Sequence, residues 1–162
     1  MAATIENIAV SLEHGINQYL TFSLAGEEYG VDILKVQEIK GYVPTTRLPN
    51  SPAHVAGVLN LRGTIVPLVD LRSKFNLEPL DHDKFNAIIV MVVGEKVVGV
   101  IVDSVSEVAT INSSEIQEAP DFARGANASV VTGVAQVADK LIILLNMETV
   151  FADDAATFSL AA

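Results

Sequence analysis

The sequence contains no cysteine. That excludes disulfides, thiolate metal sites and cysteine nucleophiles, and it suits a reducing compartment. Basic residues are scarce: ten Lys and Arg stand against twenty Asp and Glu, a formal charge of −10. Binding to nucleic acid needs clustered cations, and this chain has none, so nucleic acid is not an expected partner. The same charge is repelled by anionic lipid. Long apolar runs are missing too. The densest, Ala87 to Val93 and Leu141 to Leu145, fall far short of the ~20 residues a helix needs to cross a bilayer. The N-terminus lacks the basic region and apolar core of a signal peptide. Aromatic residues make up only 6%, which favours buried aliphatic strands over aromatic ligand platforms.

Chemistry-bearing motifs are also missing. No GxSxG, GxxxxGK or GxGxxG occurs, so nucleophile elbows and phosphate cradles are not expected. His14, His54 and His82 stand singly in expected loops, with no HxH or HExxH spacing, which opposes a zinc site. Asp70 and Asp103 close two strands in two loosely similar segments, TIVPLVDL and GVIVDSV. A shared-proton aspartic dyad needs tight small-residue turns after each carboxylate. Neither aspartate has one, so capping a turn or pairing with a neighbouring arginine is the expected role. No catalytic residue, metal or cofactor is expected.

Half the residues are apolar, enough for a packed core in a single domain or two small lobes. Gln18 to Leu24 alternates, turns at Ala25-Gly26 and returns from Tyr29 to Asp32, which predicts a hairpin. Ile33 to Lys35 predicts a short helical turn. Val36 to Tyr42 predicts a strand with Val36 and Glu38 on one side and Gln37 and Ile39 on the other. Glu38 is either a solvated strand residue or an anchor for a basic partner side chain. Residues 41 to 53 hold three prolines and predict a loop.

Leu48 to Arg72 reads LPNSPAHVAGVLNLRGTIVPLVDLR. Two apolar runs meet at Arg62-Gly63, which predicts a hairpin with an arginine at its tip. Arg62 either keeps the loop soluble or is presented to a partner on a stiff scaffold. Pro67 cannot donate to a ladder, so its strand is expected at an edge or bulged. A single helical turn from Asp70 to Asn76 and a connection over residues 77 to 85 follow. Asn86 to Val93 predicts a strand buried on both faces, and Lys96 to Val102 its partner, with Gly99 marking a bulge or a close approach. Asp103 to Ile111 predicts a further strand, and residues 112 to 127 a polar loop. Val130 to Val137 and Leu141 to Leu145 predict a last hairpin. Asn146 is placed to cap a short C-terminal helix. Short strands at this spacing, without α/β alternation, indicate an all-β barrel or sandwich architecture.

Four segments carry a family resemblance: QYLTFSLAGEEYGVDILKVQEI at 18–39, LPNSPAHVAGVLNLRGTIVPLVDLR at 48–72, KVVGVIVDSVSEV at 96–108 and KLIILLNMETVF at 140–151. Together they resemble the CheW family of chemotaxis coupling proteins over most of the chain. The resemblance implies two small five-stranded SH3-like β-barrels packed through a shared apolar interface, with short helical turns and a short C-terminal helix. It implies a first lobe at 18–80 and a second at 81–152, with strands free to cross between them, between tails at 1–17 and 153–162. It also implies a non-enzymatic adaptor that joins the cytoplasmic tips of methyl-accepting chemoreceptors to the regulatory domain of the CheA histidine kinase. Such a protein is cytoplasmic, monomeric when isolated, and recruited to the membrane's inner face through the receptors. A CheA regulatory domain or a CheV-type coupling module is the alternative. Val36 and Glu38 match the family's KVQEI strand. Gly57, Asn60, Arg62 and Gly63 match its GVxNLRG hairpin, and Val98, Gly99 and Val105 match strands flanking the groove between barrels. The resemblance assigns polar orientation to Arg62 and Glu38, and apolar contact to Val36, Val98 and Val105.

Overall fold

A computed structural model describes residues 18–46, 49, 55–75, 77–78, 86–118 and 130–151. The expected tails at 1–17 and 153–162, the loop histidines and the connections at 79–85 and 119–129 lie outside the described residues. Among the described residues, eleven strands form two sheets. β1 (Gln18–Leu24), β2 (Glu27–Asp32), β8 (Ser104–Thr110), β9 (Ile116–Gln117), β10 (Val131–Val137) and β11 (Lys140–Leu145) make one, in the order β8-β1-β2-β11-β10-β9. β3 (Val36–Gly41), β4 (Val55–Leu61), β5 (Thr64–Asp70), β6 (Ala87–Val93) and β7 (Lys96–Val102) make the other, in the order β3-β6-β7-β5-β4. The sixth strand of the first sheet, β9, has only two residues. Helix α1 (Leu71–Lys74) follows β5, α2 (Met147–Val150) follows β11, and 3-10 turns span Ile33–Lys35 and Ser113–Glu115. No helix among the described residues is long and apolar enough to cross a membrane.

The apolar pattern of β6 shows how one sheet serves two cores. Ala87, Ile89 and Met91 face a large cluster shared with Leu20, Phe22 and Leu24 of the other sheet. Ile88 and Val90 face a second cluster with Val66, Leu68 and Ile101, all from the five-stranded sheet. Alternate side chains point to opposite faces of a strand, so a strand lying between two cores is apolar throughout. A third cluster, including Ala109, Ala135 and Leu144, fills the six-stranded side. Tight two-residue turns join several strands. Ala25-Gly26, Arg62-Gly63 and Ala138-Asp139 place a non-glycine residue at positive φ, 53°, 51° and 55° respectively, as turns matching the right-handed twist of a hairpin require.

The five-stranded sheet is closed by the chain that follows β3, which reaches the β4 edge. Past the end of β3, Thr46 bridges Val58 of β4, donating N–H to its carbonyl at 3.2 Å and accepting its N–H at 2.8 Å. This closure corrects the expected place of Pro67. β5 lies inside the sheet, between β4 and β7, rather than at an edge. Pro67 stands opposite Val58, whose N–H and carbonyl both point away to Thr46, so no bond from Pro67 is needed there. The ladder to β7 begins one residue later, at Leu68. The expected faces of β3 also change. A register shift separates Val36, opposite Met91, from Glu38, opposite Val90. The extra residue in this bulge reverses the alternation, so Val36 and Glu38 lie on opposite faces.

The chain passes between sheets at two places, the 3-10 turn after β2 and the single residue Asp103 between β7 and β8. At the second, the Asp103 carboxylate accepts from Arg72 at 2.8 and 2.7 Å and from the Ala25 N–H at 2.9 Å. Its own N–H donates to the Ser23 carbonyl. Arg72 is 12% exposed and also donates to the Glu78 carbonyl. Asp70 accepts from the Arg72 N–H at 3.0 Å and caps α1. The two aspartates thus take the capping and pairing roles expected of strand-end carboxylates. Arg72→Ala removes a bidentate, charge-assisted contact and leaves Asp103 undercompensated. It is expected to cost about 1–3 kcal/mol, read as a lower urea midpoint at unchanged slope. An unchanged midpoint would mean the clamp contributes nothing.

Candidate partner-binding site

The tip of the β4–β5 hairpin carries Arg62 in the left-handed region, followed by Gly63 at φ 87°. An L-residue with a long side chain is uncommon in that conformation. Asn60 offsets part of the cost by accepting the Gly63 N–H at 2.9 Å. Asn60 therefore shapes the turn that presents its neighbour. Arg62 donates through one nitrogen to both oxygens of Glu38, at 3.1 and 3.4 Å. Glu38 lies on β3 and Arg62 just beyond β4, so the pair spans the seam between the sheet's two edges, which the Thr46–Val58 bridge closes. The Arg62 side chain is 72% exposed and that of Glu38 29%. The carboxylate is rooted in the sheet while the guanidinium stands out from it. Ile65, opposite Asn60 on β5, is exposed beside them.

The other residues singled out by sequence sit deeper. Gly57 is buried and lies at a register shift with φ 147°. A β-carbon there would stand 2.5 Å from the Thr46 carbonyl oxygen. Gly57 is thus the condition for the Thr46–Val58 bridge. Gly99 is buried, and a β-carbon on it would run into the Leu68 side chain. It marks a close approach, with no bulge where β6 pairs β7. Val98 and Val105 are buried in the shared core, and Val36 packs against it from a half-buried position. The structure therefore brings Glu38, Asn60, Arg62 and Gly63 together at one exposed place. Val36, Val98 and Val105 meet in the core between sheets, and Gly57 and Gly99 act within the five-stranded sheet.

The resemblance implies a groove between barrels, but none of the residues it singles out lines the open part of the inter-sheet boundary. A groove of about 360 Å³ lies there, walled by Val31 and Leu145 from the six-stranded sheet, Met91 and Val92 from β6, and Met147 from α2. Met91 is the register partner of Val36, which puts Val36 beside the groove without lining it. Lys35, Asp32 and Glu148 stand at the same groove, and Lys35 Nζ meets Glu148 at 2.9 Å. The hydrogen bond to Glu148 raises the Lys35 pKa, and its charge and that of Asp32 add to the rise. Glu148 is far away in sequence, so no local pattern signals this pair. Asp103 and the groove occupy opposite ends of the strands: Tyr19 and Asp32 flank the groove, and Ser23 and Ala25 flank Asp103.

The family model described as CheW-like domain matches residues 18–155. The chain is 42% identical over 137 residues to the chemotaxis protein CheW of Klebsiella aerogenes, covering 85% of this chain and 82% of that one. It is 35% identical over 145 residues to the chemotaxis protein CheW of Rhizobium meliloti, covering 90% and 94%. Among solved structures, the scaffolding protein TtCheW from Thermoanaerobacter tengcongensis superimposes with a TM-score of 0.77 at 34% identity, covering 83% of this chain and 92% of that one.

Proposed function

The chain belongs to the CheW-like domain family, and from that premise we propose how it works as a chemotaxis coupling adaptor. It joins the cytoplasmic tips of methyl-accepting chemoreceptors to the regulatory domain of the CheA histidine kinase. It catalyses no reaction and uses no cofactor. It is cytoplasmic, monomeric in isolation, and held at the membrane's inner face by the receptors. Arg62 carries this reading: a strongly exposed cation on a rigid two-residue turn, anchored through Glu38 across a closed barrel seam. One guanidinium nitrogen is occupied by Glu38, and an arginine offers five N–H donors. Arg62 can therefore hold Glu38 and an acceptor on a partner at once.

The lobes belong to the same reading. One lobe at 18–80 and one at 81–152 exchange strands: β1 and β2 join the sheet of the later residues, and β6 and β7 join the sheet of the earlier ones. The receptor tip lays apolar side chains into the inter-sheet groove next to Val36. Buried Val98, Gly99 and Val105 serve indirectly, by holding the shared core that sets the groove's shape. Val36→Asp puts a carboxylate beside the groove, against its register partner Met91, and is expected to weaken binding to a receptor-tip helical hairpin by roughly tenfold or more. Glu95→Ala, at the solvated β6–β7 turn, is expected to leave binding unchanged. Isothermal titration of both variants, with thermal melts as a check on folding, decides the matter; equal effects would count against the groove.

A further inference from the structure

The groove is neutral along its walls and charged at one place. Among the described residues, Asp32, Lys35 and Glu148 are its only ionisable acids and bases apart from the Tyr19 phenol. Two carboxylates against one ammonium leave this place net negative. The Lys35–Glu148 ion pair is half exposed on both sides, 47% and 52%. Lys35 belongs to the crossover between sheets and Glu148 to α2, so the pair spans the groove's own flanks. An exposed ion pair is screened by water and holds its partners weakly, so exchange of one partner for another meets little resistance. At the opposite end of the sheets, the well-covered Arg72–Asp103 clamp fixes them together.

We propose that Glu148, with Asp32 on the same groove, receives a lysine or arginine from the apolar helical segment that occupies the groove, and that Lys35 is the internal cation this residue displaces. The inference rests on the reading of the groove as the receptor contact and adds the charge that the receptor segment must carry. Complementary charge suppresses wrong partners more than it adds raw affinity, so the role is one of selection. The chain's own flanking stretches do not qualify. Residues 1–17 and 152–162 contain no Lys or Arg and carry four acidic residues, Glu6, Glu13, Asp153 and Asp154. A second copy, at −10, meets general repulsion.

Lys35→Ala and Glu148→Ala break the same ion pair, so a purely structural role moves both variants alike. Titration of the full chain with a receptor-tip helical hairpin separates the roles. Glu148→Ala is expected to weaken binding about fivefold to tenfold, while Lys35→Ala leaves it unchanged or tightens it. Binding by the wild type is expected to fall more steeply with salt than binding by Glu148→Ala. Equal effects of the two substitutions overturn the inference. If they are equal while Val36→Asp still weakens binding, the groove reading stands and only the charge assignment fails. If Val36→Asp also binds normally, the groove reading fails with it. Self-association of the wild type that Glu148→Ala abolishes would overturn the assignment of the groove to a receptor segment.

Discussion

Arg62→Glu is expected to weaken binding to the receptor tip or to the kinase regulatory domain by about 10–100-fold, the loss that follows truncation or reversal of a central contact. The fold is expected to survive. Arg62 is strongly exposed and its ion pair with Glu38 is only partly covered, so the pair contributes about 0–1 kcal/mol to stability. For a chain of this size that is a shift of roughly 0–4 °C in Tm. The substitution also places two carboxylates near each other across the barrel seam, so a control is needed. In the doubly exchanged Glu38→Arg, Arg62→Glu variant the ion pair returns with its polarity reversed. If the pair only braces the seam, the exchange restores binding. If Arg62 itself is the contact, stability recovers and binding does not. Double-mutant cycles of this kind isolate the pairwise contribution.

The largest expected effect on stability belongs to Gly57→Ala. The residue sits at φ 147° in a buried strand, a conformation that an alanine adopts only under strain. The added carbon would stand 2.5 Å from the Thr46 carbonyl oxygen and 2.9 Å from Thr45 Oγ1. The obstacle is largely backbone, so it cannot turn aside as a flexible side chain does. Strain and overpacking together are expected to cost about 2–5 kcal/mol, or roughly 5–15 °C in Tm. The damage falls on the Thr46–Val58 bridge that closes the five-stranded sheet, and hydrogen exchange is expected to show early loss of protection at the Thr46 and Val58 amides. The same seam holds Arg62 against Glu38, so the variant is expected to lose partner binding as well. Wild-type stability with intact protection at those amides would contradict this account of Gly57. The family pattern marks Gly57 as a contact position, and the structure supplies an indirect reason for its importance.

Much of the architecture was legible because the hairpins are local. Alternation in Gln18–Leu24 and the Arg62-Gly63 turn need only neighbouring residues to be read. The continuous apolar run of β6 announced burial on both faces, and Gly99 announced a close approach. The errors arose where one residue changes a register. The extra residue in β3 separates Val36 from Glu38, and no composition signal precedes it. Pro67 misleads for a similar reason: its missing N–H costs nothing where the bonds of Val58 turn to Thr46, which depends on barrel closure. The ion pairs that organise the two ends of the sheets were out of reach for another reason. Lys35–Glu148 and Arg72–Asp103 join distant segments, and charge alone does not select a partner among twenty acidic residues. The sequence left Asp103 either to cap a turn or to pair with a neighbouring arginine, and the arginine it meets, Arg72, lies 31 residues away.

Co-sedimentation decides whether Arg62 on the closed seam is the contact through which this adaptor assembles receptor with kinase. Receptor tips clustered on vesicles are mixed with the wild-type chain or with Arg62→Glu, with and without the CheA regulatory domain. Wild-type protein is expected to pellet with the tips and carry the kinase domain down with it, and folded Arg62→Glu to leave the kinase domain in the supernatant. Equal recovery of the kinase domain with folded Arg62→Glu protein would contradict that role of Arg62.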